Sequence, residues 1–404
     1  MRLAVIGAGV VGVTTAYELA CDGHEVTVFE RGNTAAEGAS FANLGLLAPA
    51  WIAAQFSAQW QHDQPSGVGA WWHRLRRARP TPDTDPGTAL LDLANLGTRR
   101  LDDLCNALQL SVDSHQGMVV VWREAREDKR AEDLIAHVRA AGGTCHLMPA
   151  EQVREQGSVL SHNTPLQGAL VMPDVWSVNC RQFTLLLRAQ AQQRGCRFEF
   201  GHTVKAIETG SDIRVFSDKA PQGTDRFDGV VLCAGAASSG LLRPLGVRLP
   251  LSDWVGPSLS AAANEPLEAL LAVVHDLQHR VSIARMGHRI RVSGPAERVG
   301  RSAPATQDFK TLYAVLNDWF PGAIRYGSAA GIQEWSARVS APPDNLPVIG
   351  ASGHPGVWIN TGHGMHGWVT ACASARLLAD SVAGQGSEID PTPYRTTRWA
   401  HGSR

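Results

Sequence analysis

RLAVIGAGVVGVTTAYELACDGHEVTVFE, residues 2–30, decides the fold. It begins as a short apolar strand, Leu3 to Ile6. The run Gly7-Ala8-Gly9-Val10-Val11-Gly12 follows, then a helical stretch to about Ala20. A second strand, Glu25 to Phe29, ends at Glu30. Each residue type has a physical task. Gly7 permits the tight turn, Gly9 lets a pyrophosphate approach the backbone, and Gly12 lets the helix pack closely on the strand. The helix N-terminus then offers free N–H groups and a partial positive charge to phosphates. Glu30 stands where a carboxylate can accept both hydroxyls of an adenosine ribose. Ala16, Leu19, Gly23, Val26 and Val28 fall at packing positions, which supplies the strand–helix–strand frame that a lone glycine motif lacks. A helix–strand turn with no ligand is the structural alternative.

Composition bounds the rest. The chain has 404 residues, 44% hydrophobic and 19% charged, enough for two domains with their own cores. A net charge of -1 sets up no field that would draw nucleic acid or an anionic membrane over the whole surface. The 7 cysteines are scattered, with no CxxC, and read as reduced thiols of a cytoplasmic protein. No apolar run is long enough for a spanning helix. The N-terminus lacks the longer apolar core and cleavage site of a signal peptide. No internal repeat is visible.

Glu30 disfavours a 2′-phosphate, leaving FAD or NAD. Three later stretches favour FAD. Ser40-Phe41-Ala42-Asn43-Leu44-Gly45 is a small-residue loop able to approach a flavin. Phe227–Gly235 (FDGVVLCAG) reads as a buried strand ending in Ala234-Gly235. Val357–Gly367 (VWINTGHGMHG) reads as a strand, then glycines, then a helix from about Met365 to Val382. That second helix N-terminus could stabilise negative charge on a reduced flavin.

With these stretches in place, the chain resembles the D-amino-acid oxidase/dehydrogenase superfamily of FAD enzymes. Within it, the chain is most similar to the bacterial D-amino-acid dehydrogenase small subunits. The matching segments are VIGAGVVGVTTAYELACDGHEVTVFER, ASFANLGLLAP, RQFTLLLRAQAQQRG, RIRVSGPAE and NTGHGMHGWVTACASARLLAD. The resemblance implies an α/β fold: a Rossmann-like FAD-binding domain of the GR2 type beside a mixed, antiparallel-sheet substrate domain. The expected division is 1–85, 149–243 and 333–404 for FAD, with 88–148 and 244–332 for substrate. It further implies that FAD touches Gly7, Gly9, Val10, Val11, Gly12, Glu30, Arg31, Ser40, Asn43, Leu44, Gly45, Leu46, Val204, Ala234, Gly235, Gly362, His363, Gly364, Met365, Gly367 and Trp368. Helical stretches are expected at Ala89–Leu108 and Ala125–Ala141, and strands at Met118–Trp122 and Arg289–Ser293, the last by its polar–apolar alternation. The prolines of Arg79–Gly87 read as an exposed loop.

Family members are thought to pass hydride from the substrate Cα to flavin N5, with an arginine and a tyrosine holding the carboxylate. The family's motif runs Trp-x-Gly-x-Arg-Pro and on through Pro-Asp to Pro-x-x-Gly. Trp335, Pro343, Asp344, Pro347 and Gly350 match it, but Ala337, Val339 and Ser340 replace its glycine, arginine and proline. Arg338 is one residue out of place and reaches the site only through a bulge, because a one-residue slip points a side chain to the other face. Pro257 likewise stands at the tyrosine position of Gly-Tyr-Ser-Leu. Arg285 is the replacement candidate, with a solvated strand-end arginine as the alternative. His366 is a candidate acid or base, with a second-layer position as the alternative. His275 and His279 share helical i, i+4 spacing on what reads as a solvated face. No third ligand accompanies this pair or the i, i+3 pair His363 and His366, so no metal is expected.

Trp71–Arg79 (WWHRLRRAR) is basic and aromatic. It is either an ordinary basic helix or a contact with an anionic membrane, which would suit a peripheral enzyme at the inner membrane that passes electrons to quinone. The acceptor, quinone or oxygen, is open. The expected function is FAD-dependent oxidation of the C–N bond of a D-amino acid or cyclic imino acid, giving an imine that hydrolyses to the oxo acid. One alternative is an amine or modified amino acid lacking a free carboxylate. Another, of a different class, is a catalytically degenerate flavoprotein subunit.

Overall fold

The computed structural model describes residues 1–62, 85–155, 160–224, 226–264, 273–299, 309–325 and 331–402. The Trp71–Arg79 stretch lies outside them. The chain begins with β1 (Arg2–Ile6), α1 (Val10–Cys21), β2 (Glu25–Glu30), β3 (Leu46–Leu47), α2 (Pro49–His62) and α3 (Pro86–Ala107). Next come β4 (Ser114–Trp122), α4 (Asp128–Ala140), β5 (His146–Pro149), α5 (Ala150–Glu155), β6 (Gly168–Val178) and α6 (Cys180–Gln193). They are followed by β7 (Arg197–Phe200), β8 (Val204–Glu208), β9 (Arg214–Ser217), β10 (Gly229–Leu232), α7 (Ser238–Leu242) and β11 (Ser252–Ala262). The hairpin strands β12 (Val273–Asp276), β13 (Val281–Met286), β14 (Arg289–Ser293) and β15 (Glu297–Arg298) precede α8 (Phe309–Trp319). The chain closes with β16 (Gln333–Ala341), β17 (Val348–Ala351), β18 (Val357–Thr361) and α9 (Gly367–Ala383).

Six strands form one sheet in the order β17-β18-β10-β1-β2-β7. All neighbours are parallel except the edge pair β17–β18. The central strands β1 and β10 are apolar runs (Leu3–Ile6 and Val230–Leu232), as a parallel sheet covered on both faces requires. Leu3 and Val5 pack into the cluster that holds α1 and α9, while Ala4 and Ile6 pack against Val215, Leu241 and Leu242 on the other face. Because β2, β1, β10 and β18 run parallel, their carboxyl ends share one edge. Ligands bind there in open α/β sheets.

The larger sheet runs β15-β11-β14-β13-β12-β4-β6-β3, with β16 on β11 and β5 on β6. It is mixed, since β12 pairs parallel with β4. Strands β3, β6 and β16 belong to it, although they lie within 1–85, 149–243 and 333–404. Its outer face is apolar: Leu259, Ala261, Val281, Ile283, Ile290 and Val292 pack on Leu312, Val315, Leu316 and Trp319 of α8. Alternation then assigns the opposite face to Gly256, Ser258 and Ser260 of β11, and to Arg289, Arg291 and Ser293 of β14. Ser258 pairs directly with Trp335, so the same face takes Trp335, Ala337 and Val339 of β16.

Two local readings change. The helix α3 begins at Pro86 inside the expected loop, because Asp85 caps it by accepting from Thr88 N at 2.9 Å and proline is at home in a first turn. His275 and His279 are not on a helix. His275 is in β12, its Nδ1 2.7 Å from Ser282 Oγ, and His279 follows in the turn against Asp276. The Val273-Val274 start of β12 pairs with β4, and this sheet pairing overrides the i, i+4 spacing.

Candidate functional site: a dinucleotide cradle facing a polar sheet wall

The glycine motif takes the form its residues dictate. Gly7 has φ 106°, and a Cβ there would lie 2.6 Å from Cys233 O. A Cβ on Gly12 would lie 1.9 Å from Gly7 O, so the helix sits directly on the turn. Gly9 is different. A Cβ there would meet only Ser40 Oγ, at 3.4 Å. The protein itself has room for a side chain at Gly9, and the open space is the approach a pyrophosphate needs. Gly9 is the N-cap of α1 and makes no side-chain cap bond. Ser40 Oγ accepts from Val10 N at 3.0 Å. These features fit a dinucleotide.

Glu30 ends β2 and turns its carboxylate to the motif, accepting from Ala8 N at 2.6 Å and Gly32 N at 2.8 Å. His202 N donates to Glu30 O at 2.8 Å, which brings the start of β8 at Val204 alongside. Arg31 is exposed. Ala234 and Gly235 follow β10, and Thr361 Oγ1 at the end of β18 donates to Gly235 O at 3.2 Å. Gly7–Gly12, Glu30, Ala234–Gly235 and Gly362–Trp368 therefore gather at one sheet edge.

Loop 40–46 lies between this edge and the larger sheet and is fastened from several sides. Trp368 Nε1 donates to Gly45 O at 2.9 Å, Ser177 Oγ to Leu44 O at 2.8 Å, and Arg291 Nη1 to Asn43 O at 2.8 Å. Gly45 N donates to Asn43 Oδ1 at 3.1 Å. The Phe41 ring packs 4.9 Å from Trp335, with the Arg181 guanidinium 4.4 Å from the same Phe41 ring. The Trp335 face of the large sheet thus looks toward the loop. Met365 and Gly364 approach the same wall. Met365 Cε would be 3.8 Å from a Cβ on Gly256, and the Ala341 methyl 3.1 Å from one on Gly364.

His363 is buried and faces inward. Its Nδ1 is 3.0 Å from Thr370 Oγ1 and its Nε2 is 2.9 Å from Asn360 Oδ1. Asn360 Nδ2 donates to Thr15 and Ser374, which fixes its oxygen toward His363 and makes Nε2 the protonated nitrogen. Burial pushes this imidazole down to about 3. His366 caps α9 without a side-chain cap bond and is half-buried, and desolvation pushes it down to about 4.

The structure does not bring the two candidate clamp arginines to the wall. The β16–β11 register is continuous from Ser252↔Ala341 to Ser260↔Gln333, so no bulge re-aims Arg338. Arg338 stands opposite Val255, on the face away from Trp335, with its Nε 3.3 Å from Asp253 Oδ2 and its side chain 57% exposed. Arg285 pairs with Ile290, on the α8 face of β13, and its Nε donates to Gly287 O at 2.9 Å. Pro257 also lies on that outer face, opposite Ser336. Of the departures from the family pattern, Ala337 and Val339 lie on the wall, and Val339 is the one that removes a cation from it. Sequence reasoning missed Arg291, although the alternation of Arg289-Ile290-Arg291-Val292 already set it apart from the apolar face.

A nucleotide cradle at the edge of a parallel sheet, covered by a polar wall from a second sheet, defines a flavin-dependent oxidoreductase architecture. The comparisons give the family. The model of the FAD dependent oxidoreductase family, DAO, matches residues 2–381, and the chain belongs to that family. It is 33% identical to D-amino acid dehydrogenase of Cereibacter sphaeroides over 100% of this chain and 97% of that one. It is 31% identical to D-amino acid dehydrogenase of Allorhizobium ampelinum over 100% and 99%. Its fold is similar to glycine oxidase from Geobacillus kaustophilus, with TM-score 0.76, 19% identity and 98% of both chains covered. It is also similar to L-proline dehydrogenase from P.horikoshii, with TM-score 0.73, 17% identity and coverage of 100% and 98%. Among the described residues no helix is long and apolar enough to cross a membrane.

Proposed function

We propose that this FAD-dependent oxidoreductase oxidises the C–N bond of a D-amino acid or cyclic imino acid. The observation that carries the reading is the polar face of β11, β14 and β16 set against loop 40–46 and the Gly364–Met365 turn. Substrate held on that wall would be presented to a flavin at the sheet edge. The full-length similarity to proteins named D-amino acid dehydrogenase supports the substrate class. In this reading 1–85, 149–243 and 333–404 form the cofactor side, and 88–148 with 244–332 the substrate side, apart from β3, β6 and β16.

The residues divide the work. The Gly7–Gly12 turn and the α1 N-terminus would hold the pyrophosphate, and Glu30 would accept from the adenosine ribose. Ser40, Asn43–Leu46, Val204, Ala234–Gly235 and Gly362–Trp368 enclose the rest. When bound, FAD supplies the two-electron acceptor for hydride from the substrate Cα. His366, at about 4, is too weakly basic to take a proton from an alkylammonium group with a pKa of about 10. With His366 out of that role, hydride transfer needs the substrate as its neutral amine, and the wall's task is orientation.

The name dehydrogenase on the relatives favours an acceptor other than oxygen, with the quinone class as the candidate. Turnover of D- and L-alanine and D-proline with an artificial quinone-type dye, against oxygen consumption, tests the reading. The expected result is dye reduction by the D-enantiomer with stoichiometric oxo acid and ammonia from D-alanine. Dye reduction by L-alanine alone, or by no amino or imino acid, would contradict it.

A further inference from the structure

Position 339, the family's arginine, holds valine, and the two candidate replacements, Arg338 and Arg285, face elsewhere. Another cation stands on the wall. Arg291 is 8% exposed, and its Nε is buried with no partner among the described residues. Two more polar atoms on this face are buried with no partner among the described residues: Ser258 Oγ and Trp335 Nε1. Ser258 stands directly opposite Trp335 on one side and Ser293 on the other. Arg291 is two residues from Ser293 on β14, the diagonal neighbour of Ser258, a spacing that long side chains span. The three groups are N–H or O–H donors.

Two arginines and one carboxylate act on Arg291. Arg181 and Arg289 act on Arg291 by repulsion, with Cys180 and Asp113 the opposing influences. Arg181 Nε is likewise buried without a partner among the described residues. A buried guanidinium with an idle N–H is costly unless an anion meets it. Arg291 Nη1 is already committed to Asn43 O, which fixes the plane of the guanidinium and the direction of Nε.

We propose that Arg291 Nε, the Ser258 hydroxyl and the Trp335 indole N–H form the subsite for the substrate's carboxylate, in place of the arginine the family carries at position 339. The proposal rests on the amino-acid reading above. It predicts that the free acid, not an ester or a decarboxylated amine, is the substrate.

The test uses the FAD-loaded protein with benzoate as a non-reacting carboxylate, followed by the flavin difference spectrum. Arg291→Met should weaken benzoate and D-amino-acid binding by about 100-fold, the size of one lost charged hydrogen bond in a buried site. FAD content should stay as in the wild type. Ser258→Ala should weaken benzoate by about tenfold. If Arg291→Met does not fold, Ser258→Ala decides: unchanged benzoate affinity overturns the proposal. Arg291→Met that loses FAD also overturns it, because Arg291 would then only anchor loop 40–46. The two readings fail separately. Arg291-dependent benzoate binding in a protein that no amine reduces would sink the amine-oxidising function and leave the subsite. Bleaching by D-amino acids that Arg291→Met leaves unchanged would do the reverse.

Discussion

Gly9→Ala separates the demands of the fold from those of the cofactor. The new methyl would meet only Ser40 Oγ, at 3.4 Å, an ordinary contact. Gly9 has φ -68° and ψ 177°, which alanine adopts freely. Alanine is a poorer N-cap than glycine, so the apoprotein should lose about 1 kcal/mol and roughly 2 °C in Tm. The cofactor should suffer far more. The methyl occupies the approach to the α1 N-terminus, and displacing the pyrophosphate from two N–H groups costs about 3–6 kcal/mol, at least about 100-fold in affinity. FAD at about 100 times its wild-type Kd stabilises the wild type by about 2.7 kcal/mol and the variant by no more than about 0.4 kcal/mol. Thermal unfolding of stripped protein, with and without added FAD, measures both terms. Gly12→Ala is the contrast: its Cβ would fall 1.9 Å from Gly7 O, so it should not fold at all. Retention of wild-type FAD stabilisation by Gly9→Ala would refute the placement of the pyrophosphate.

Three further outcomes follow from the same geometry. Asp344→Ala should destabilise the protein by about 3–5 kcal/mol, since Asp344 and Arg398 are both buried, paired at 2.8 Å, and tie the C-terminal segment to the strand region after β16; a urea midpoint like the wild type's would contradict this. Arg338→Ala should leave benzoate affinity and reduction by D-amino acids unchanged, because Arg338 faces Asp253, and a loss of tenfold or more would restore it as a clamp. Acid should destabilise the protein as pH falls from about 6.5 to 4. Burial pushes His275 to about 4 and His363 to about 3, so the unfolded chain takes up protons that the native state refuses. Each buried imidazole adds up to about 1.4 kcal/mol per pH unit, and His275→Gln should flatten the urea-midpoint profile by that much; an unaltered slope would contradict the reading.

The cofactor cradle was legible because its signal is local. A strand, a glycine turn, a helix and a carboxylate fall within thirty residues, and each glycine's role follows from what a Cβ would strike. The wall was not legible, because the face a side chain takes in β16 depends on pairing with β11, some eighty residues earlier in the chain. Motif matching located the displaced arginine, and the continuous register shows that it points outward. Likewise, Arg285 and Arg291 look equivalent in sequence, yet the β13–β14 pairing sets them on opposite faces. The His275/His279 spacing misled for the same reason: a four-residue strand held by its neighbours carries no helical constraint.

The central claim is tested most directly by anaerobic mixing of the purified, FAD-loaded protein with D-alanine and D-proline, and with their methyl esters and L-enantiomers, while absorbance at about 450 nm is followed. The account predicts rapid bleaching by the free D-acids, with the esters and L-enantiomers slow or inert. Bleaching by the esters with the free acids inert would contradict the carboxylate wall, and a yellow protein bleached by none of them would contradict the amine-oxidising function itself.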